Sequence, residues 1–436
     1  MKTMKTSHLI LVAVTAASVA SFASHRAHAA SPAFTDANWV SMGVRQGINA
    51  AGWIVDAAAD AAGNLYIGGL FTNVCGVAAT NIAKWNGTNW SALGAGVNSY
   101  VNALLVSGTN LYVGGSFTTA GGIAASSVAR WDGTAWSALG SGTDGGVFAM
   151  ALSGTDLYVT GSFSTAGGVA ATNLAKWDGS SWSAPVSLLT DAGGAAALAV
   201  SGSDIYVGGS FSTVNGVSAN HIAKWTAGAG WTPLGSGMDA GFPGGGNVTS
   251  LLFSGGVLYA GGDFWTAGGV TVNCVVRWNG SAWSALGSGL QGANGNYPGV
   301  SRLAMSGTTL YAVGYFAKPG GTVADGIAKW NGSSWSTLGS GLAGAPGNDP
   351  WVTAVAASGS IAYAAGGFSS AGAVAADGLA KWNGSTWSAL APAGAPAGSV
   401  SGAVTTMAVS GTNLYVGGEF GTAGSGLARC LTRWNG

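Results

Sequence analysis

Little in this chain can do acid–base or metal chemistry. Of four histidines, three (His8, His25 and His28) fall at the extreme N-terminus, leaving His221 for the rest of the chain. A Ser-His-Asp triad has only that imidazole to draw on, and no G-x-S-x-G turn surrounds it. Metal centres want clustered His, Cys or carboxylate ligands, and no such cluster stands out. No metal or cofactor is expected, and no catalytic residue is assigned. The acids are 14 Asp and Glu419. Two carboxyl groups flanking a sugar would suit glycoside hydrolysis. Asp132 and Asp178 read as hairpin tips, and Asp156 and Asp204 stand between strands, so turn duty accounts for them. Asp239 and Asp349 have no such explanation and are the carboxylates left for chemistry.

The elements that would position them come from an internal repeat. It is plainest from Asn110 to Gly142, NLYVGGSFTTAGGIAASSVARWDGTAWSALGSG. Its Tyr recurs eight times, at Tyr66, Tyr112, Tyr158, Tyr206, Tyr259, Tyr311, Tyr363 and Tyr415. A Gly follows three residues later and a Phe five residues later in all eight, and a Trp follows after 19. A second Trp follows the first after four intervening residues (five between Trp225 and Trp231), across a turn that is mostly Asn-Gly or Asp-Gly. Those dipeptides accept positive φ at both central positions, as a tight hairpin requires. Each unit therefore predicts four strands: a (VNALLVS, Val101 to Ser107), b (LYVGGSF), c (SVARW) and d (AWSAL). Gly pairs in nearly every unit argue against helix, since each costs a helix about 1 kcal/mol relative to Ala.

Eight four-stranded antiparallel units of this length predict an all-β chain, a single eight-bladed β-propeller. The eighth unit stops at Trp434-Asn435-Gly436, in the middle of its hairpin. The missing strand d is found near the other end, where Ala37 to Gly43 (ANWVSMG) aligns with Thr88 to Gly94 (TNWSALG). The N-terminal strand is thus expected to complete the last blade and close the ring, covering two edges that would otherwise be exposed.

Residues 1–29 read as a signal peptide: Lys2 and Lys5, an apolar run from Leu9 to Ala23, then Ala27-His28-Ala29. The expectation is a propeller over 30–436, secreted or held at the cell surface or in the periplasm, with no membrane span in the mature chain. With Lys2, Lys5 and Arg26 removed, 12 cations face 15 acids, which does not suit nucleic acid. Eight of the 12 (Lys84, Arg130, Lys176, Lys224, Arg277, Lys329, Lys381, Arg433) directly precede the first Trp of each unit. They read as outward-facing cations on strand c, because strand faces alternate. Cys75, Cys274 and Cys430 are expected to be free, mostly buried thiols. Cys274 and Cys430 occupy the same slot of two different units.

The YxGG element with spaced aromatics resembles kelch-type propeller repeats. It is closer still to the LYVGGxFTxAGG…WDGxxWSALGSG repeats of secreted bacterial proteins. The resemblance spans Asn38 to Gly436 and implies fold rather than activity. One class of kelch-type relatives, the galactose-oxidase-like copper enzymes, uses two His and two Tyr ligands, and His221 alone does not meet that need.

Function is then expected where unit length varies. The stretch from second Trp to next Tyr is 22 residues after Trp90 and Trp136, 24 after Trp182, 27 after Trp39 and 28 after Trp231, Trp283, Trp335 and Trp387. The additions fall in the d-to-a connections, which share a rim with the b-to-c loops. Loops on a rigid scaffold commonly carry function. Candidate binding residues are Arg45, Asp239, Phe242, Gln291, Tyr297, Asp349 and Trp351, with Asn294 and Asn348 beside them. Aromatics among amides and carboxylates suit a carbohydrate or protein ligand. The leading expectation is a monomeric, non-catalytic binding or surface-structure module. The alternatives are a polysaccharide-active enzyme using Asp239 and Asp349, or an inert envelope scaffold.

Overall fold

The computed structural model describes residues 39–40, 53–60, 62, 64–74, 77–86, 89–184, 194–241, 245–292, 297–317, 325–344, 349–358, 360–376, 379–389, 400–410, 413–423, 426–427 and 431–434. These residues are all-β, and the main sheets are antiparallel in the order a-b-c-d. The second sheet shows the plan: Val101–Ser107, Asn110–Gly115, Val128–Trp131 and Trp136–Ala138. Seven sheets follow it. In the eighth, Val400–Ser410, Asn413–Ala423 and Leu431–Trp434 are joined by Trp39–Val40 as strand d. The register there places Trp39 opposite Trp434 and Val40 opposite Arg433. Trp39–Val40 and Leu431–Trp434, far apart in sequence, are neighbours in one sheet.

Strand a of every sheet packs against strand a of the next, and Val400–Ser410 of the eighth packs against Trp53–Ala59 of the first. Apolar side chains fill the space between successive sheets. Tyr66 and Ile82 of the first meet Val101, Leu104 and Val113 of the second, and Tyr415 of the eighth meets Ile54, Leu65 and Ile67 of the first. The repeat Phe is buried in all seven described cases, from Phe71 to Phe368. Each such ring contributes roughly 1.5–3 kcal/mol on burial. The first and second Trp of a unit are cross-strand partners, with ring centroids 4.9–5.5 Å apart and tilted planes in six sheets. Tilted aromatic pairs add about 0.5–1.5 kcal/mol beyond area burial.

Polar groups recur between sheets too. The indole Nε1 of Trp136, Trp182, Trp283 and Trp335 donates to the carbonyl of Leu93, Leu139, Leu234 and Leu286 in the preceding sheet, at 2.5–2.7 Å. Trp387 does the same to Leu338. Strand a of each of the first seven sheets carries one β-bulge near its start, and Val400–Ser410 of the eighth carries two register shifts, at Val400/Gly402 and Val404/Thr406. A polar residue at the bulge reaches the backbone carbonyl of the following sheet: Asn102 to Val147, Thr249 to Val300, Thr353 to Val404. Thr405 of the eighth sheet reaches Ile54 of the first at 2.5 Å. Thr405→Val keeps the shape and removes that donor. It is expected to cost about 1 kcal/mol, read as a lower thermal midpoint, with Ser301→Ala as an unlinked comparison.

Three sequence expectations need physical correction. The described Asp-Gly and Asn-Gly loops between paired Trp residues do not hold two residues at positive φ. Only the Gly does (Gly133 at 106°, Gly179 at 101°, Gly280 at 100°), and the preceding Asp or Asn acts through its side chain. Asp132 Oδ1 accepts from the amides of Thr134 and Ala135, and Asn279 Oδ1 from those of Ser281 and Ala282. That four-residue loop uses Asx hydrogen bonding in place of a left-handed pair. Asp156 and Asp204 do more than turn duty, since they open strand b and bind Lys176 and Lys224 at 2.6 and 2.8 Å. The row of cations is half-buried rather than free in solvent, and Lys381 is buried. In every sheet the cation stands opposite the repeat Tyr, from Tyr66 and Lys84 to Tyr415 and Arg433. Lys84 and Lys381 lie 5.5 and 5.8 Å from the facing ring centroids.

The slot four residues before each first Trp is left-handed wherever it is described: Asn81, Ser127, Asn173, His221, Cys274 and Gly326 have φ of 61–72°. Asn81 shows why the unit favours Asn, since its side chain caps the Phe71 amide and donates to the Val97 carbonyl. His221 and Cys274 are occupants of this structural slot. Cys274 is a buried free thiol, and burial raises its pKa, aided by Asp263. Cys75, Cys430 and the signal-like segment lie outside the described residues.

Candidate functional site

Strand direction places the d-to-a connections and the b-to-c loops on one rim, and backbone pairing ties them together. Each described b-to-c loop is a small hairpin, as in Thr119–Ala120 with Ile123–Ala124. The connection leading into a sheet pairs with that sheet's hairpin. Met238–Asp239 pairs with Thr266–Ala267, and Leu342–Ala343 with Ser370–Ala371. Single bridges join Val97 to Ala120 and Thr143 to Ala166. The long loops are thus anchored at their roots.

This rim carries every exposed large apolar side chain among the described residues: Tyr100, Ile123, Val169, Val217, Trp265, Val270, Tyr297 and Trp351. Ile123, Val169, Val217 and Val270 fill the same hairpin slot in four consecutive sheets. The opposite rim, made of a-to-b and c-to-d turns, contributes none. A contiguous apolar surface left open to water marks a binding face more often than chance.

The aromatics concentrate over the fifth to seventh sheets. Tyr297, 60 % exposed, lies against Trp265, 38 % exposed, with centroids 5.9 Å apart and planes at 35°. Trp265 is anchored through its backbone N–H, which donates to the Asp239 carbonyl at 2.8 Å. Asp239 is exposed, and its carboxylate accepts from the Gly241 amide at 2.9 Å. Gln291 is exposed on the connection that carries Tyr297, and its carbonyl accepts from the Ala317 amide. Trp351 is 52 % exposed at the start of strand a in the seventh sheet. Two residues earlier, half-buried Asp349 accepts a 2.6 Å hydrogen bond from the Tyr315 hydroxyl. The structure therefore brings Asp239 and Tyr297 together through Trp265. Asp349 and Trp351 form a second group on the connection into the seventh sheet. Arg45, Phe242, Asn294 and Asn348 lie outside the described residues.

Two residues at this site escaped the sequence reading. Trp265 directly follows the repeat Phe, in a slot held by Thr or Ser in Thr72, Thr118, Ser164, Ser212 and Ser369. Its signal was arithmetic: Trp53, Trp265 and Trp351 are the three indoles outside the eight pairs. Asp263 replaces the Ser of Ser116, Ser162 and Ser210 at the end of strand b. Asn247 Nδ2 donates to its Oδ2 at 3.0 Å, while its Oδ1 is buried without a hydrogen-bond partner among the described residues. Asp263 also borders Gly299, two residues beyond Tyr297. A methyl built on that Gly would lie 3.9 Å from the Asp263 Cβ. Asp144 shares the rim. Partial burial works against its charge, but hydrogen bonds from Ser164 and Thr165 outweigh this and hold its pKa to about 2.

Among the described residues no group of three or more His, Cys, Asp or Glu side chains is placed to hold a metal ion. No helix there is long and apolar enough to cross a membrane.

No family model matches the chain, and no curated protein matches it. Solved structures do. The crystal structure of the computationally designed Ika8 protein has 17 % sequence identity and a TM-score of 0.51, over 91 % of this chain and 99 % of that one. The extracellular domain of the putative hybrid two component system BT4673 from B. thetaiotaomicron has 9 % identity and a TM-score of 0.45, over 91 % of this chain and 39 % of that one. YCF48 bound to D1 peptide has 12 % identity and a TM-score of 0.41, over 76 % of this chain and 93 % of that one. The likeness to the designed protein runs almost the full length of both chains and is a likeness of fold.

Proposed function

We propose that this chain is a secreted, kelch-like, closed eight-bladed propeller that binds a ligand without transforming it. The binding face is the rim of d-to-a and b-to-c loops. One observation carries the reading: all eight exposed large apolar side chains of the described residues lie on that rim. A scaffold with no ligand has no reason to segregate them. Closure is supported by the order in which the sheets touch, the last against the first, and by Trp39 standing opposite Trp434. A rigid ring suits recognition, because loops that are already placed lose little freedom when a ligand arrives.

The test is a set of glycan and peptide arrays probed with the intact protein and with Trp265→Ala, Tyr297→Ala and Trp351→Ala. Thr134→Ala, on the opposite rim, is the control. These side chains are exposed, so the variants should fold normally, as checked by circular dichroism. At least one bound class is expected to lose tenfold or more in affinity with the rim variants and nothing with the control. Binding that ignores all three aromatics, or that falls equally with the control, rejects the rim as the site.

A further inference from the structure

Four Asn-Gly pairs among the described residues place an exposed Asn at a turn tip, in two different settings. Asn279, Asn331 and Asn383 open the c-to-d turns of the fifth, sixth and seventh sheets. In each, Oδ1 accepts from three donors at 2.8–3.0 Å: the amides two and three residues on, and the hydroxyl two residues on. Asn383 Nδ2 also donates to the Thr386 hydroxyl. The fourth pair, Asn215-Gly216, tips the b-to-c hairpin of the fourth sheet, with both residues left-handed at φ 50° and 75°. Among the described residues no donor reaches its Oδ1. A methyl built on Gly216, Gly280 or Gly332 would meet nothing within 4 Å, so no neighbour crowds these glycines.

We propose that Asn279, Asn331 and Asn383 are self-modifying sites, each converted to Asp by its own turn. The peptide nitrogen of the following Gly, once its proton is lost to water or hydroxide, attacks the Asn Cγ. A carbon–nitrogen bond forms, and the carbonyl electron pair moves onto Oδ1. When that pair returns, the Cγ–Nδ2 bond breaks and the nitrogen leaves as ammonia, with a proton taken from water. A five-membered imide remains. Water then adds to one of its two carbonyls, and the ring nitrogen departs with a proton. Opening at Cγ gives Asp, and opening at the backbone carbonyl gives isoaspartate. Water is consumed, ammonia is released and nothing is oxidised. Nucleophile and target are neighbours in one chain, so no encounter has to be arranged. The charge of the first step gathers on Oδ1, the atom that the three donors hold. Donors already in place where charge develops stabilise it without reorganising. They favour opening of the imide at Cγ for the same reason. The Asp product keeps every bond of the turn and strengthens them, because its acceptor is charged. Asp132 and Asp178 show the finished slot in the second and third sheets, each carboxylate holding the corresponding two amides and hydroxyl. The Ala135 and Thr134 amides lower the Asp132 pKa to about 2. Conversion therefore adds negative charge to the rim opposite the long loops.

Peptide mapping by mass spectrometry tests this on the intact protein, sampled during incubation at mildly alkaline pH. Asn215 is the internal comparison, since it shares the dipeptide and the exposure and lacks the donors. In the native protein Asn279, Asn331 and Asn383 are expected to convert about tenfold or more faster than Asn215, with Asp outnumbering isoaspartate. In denaturant all four should convert at similar rates, because only the folded turn supplies the donors. Asn279→Asp should leave the thermal midpoint unchanged or raise it. Native conversion at the three sites no faster than at Asn215, or slower than in the unfolded chain, would mean that the hydrogen bonds guard the amide, and it overturns the proposal. So does a product that is mainly isoaspartate, or a lower midpoint for Asn279→Asp.

Discussion

Gly262→Ala is expected to lower stability by about 3 kcal/mol, at the upper end of ordinary overpacking costs. A methyl built on Gly262 would sit 1.9 Å from the Asn247 carbonyl oxygen and 3.0 Å from a Phe264 ring carbon. Both obstacles are fixed: one is backbone and the other a buried ring. The same contact recurs at Gly115, Gly161, Gly209, Gly314 and Gly366, each facing a carbonyl oxygen at the start of strand a at 2.0–2.1 Å. It explains the Gly three residues after the repeat Tyr in these six sheets. The constraint is close approach of two strands rather than a special φ. Gly194→Ala is the control, because nothing lies within 4 Å of its would-be methyl. Thermal melts should show a clear fall for Gly262→Ala and a shift of about 0.5 kcal/mol or less for Gly194→Ala. Matching midpoints for the two variants would show that the strands can part at no cost.

The second large effect is a pH dependence located at Asp56. Its carboxyl group is 4 % exposed on strand a of the first sheet. Burial pushes its pKa up to about 7, against the opposing pull of amide hydrogen bonds from Leu104 and Ala57 and of the Arg302 charge. Between pH 4 and 7 the folded chain keeps a proton that the unfolded chain has released. Stability therefore falls as pH rises through that window and levels off above it, by about 4 kcal/mol for a shift of this size. Asp56→Asn imitates the protonated form. It should match the parent near pH 4 and exceed it at pH 8. Denaturant titrations across pH 4 to 8 check this, and a parent whose stability rises over that range would contradict it.

Much of the architecture was written in the repeat. The constant Tyr-to-Trp spacing set strands b and c in register, and the unfinished eighth unit pointed to Trp39 as the partner of Trp434. What stayed hidden depends on packing between units. Asp56 occupies a slot filled by Ala103, Ala149, Ala197 and Ala354 elsewhere, and in the sequence it reads as ordinary drift. Only the neighbouring sheet shows that the slot is buried. Trp265 and Asp263 escaped for a related reason. Each alters a single repeat position without changing the loop length, and length was the signal that led to Asp239, Tyr297 and Trp351. The small b-to-c hairpins carry too few residues for alternation to show.

The pairing of Trp39 with Trp434 also orders events in time. A ribosome delivers residue 39 long before residue 434. Until then the opening strand has no native neighbour along its backbone, and the first sheet has no eighth to lean on. Joining distant segments adds loop-closure entropy only slowly with length, so the delay is one of waiting rather than of energy. Any intermediate that lacks Leu431–Trp434 leaves Trp39–Val40 without its strand partner, and the arrival of those residues removes that open edge.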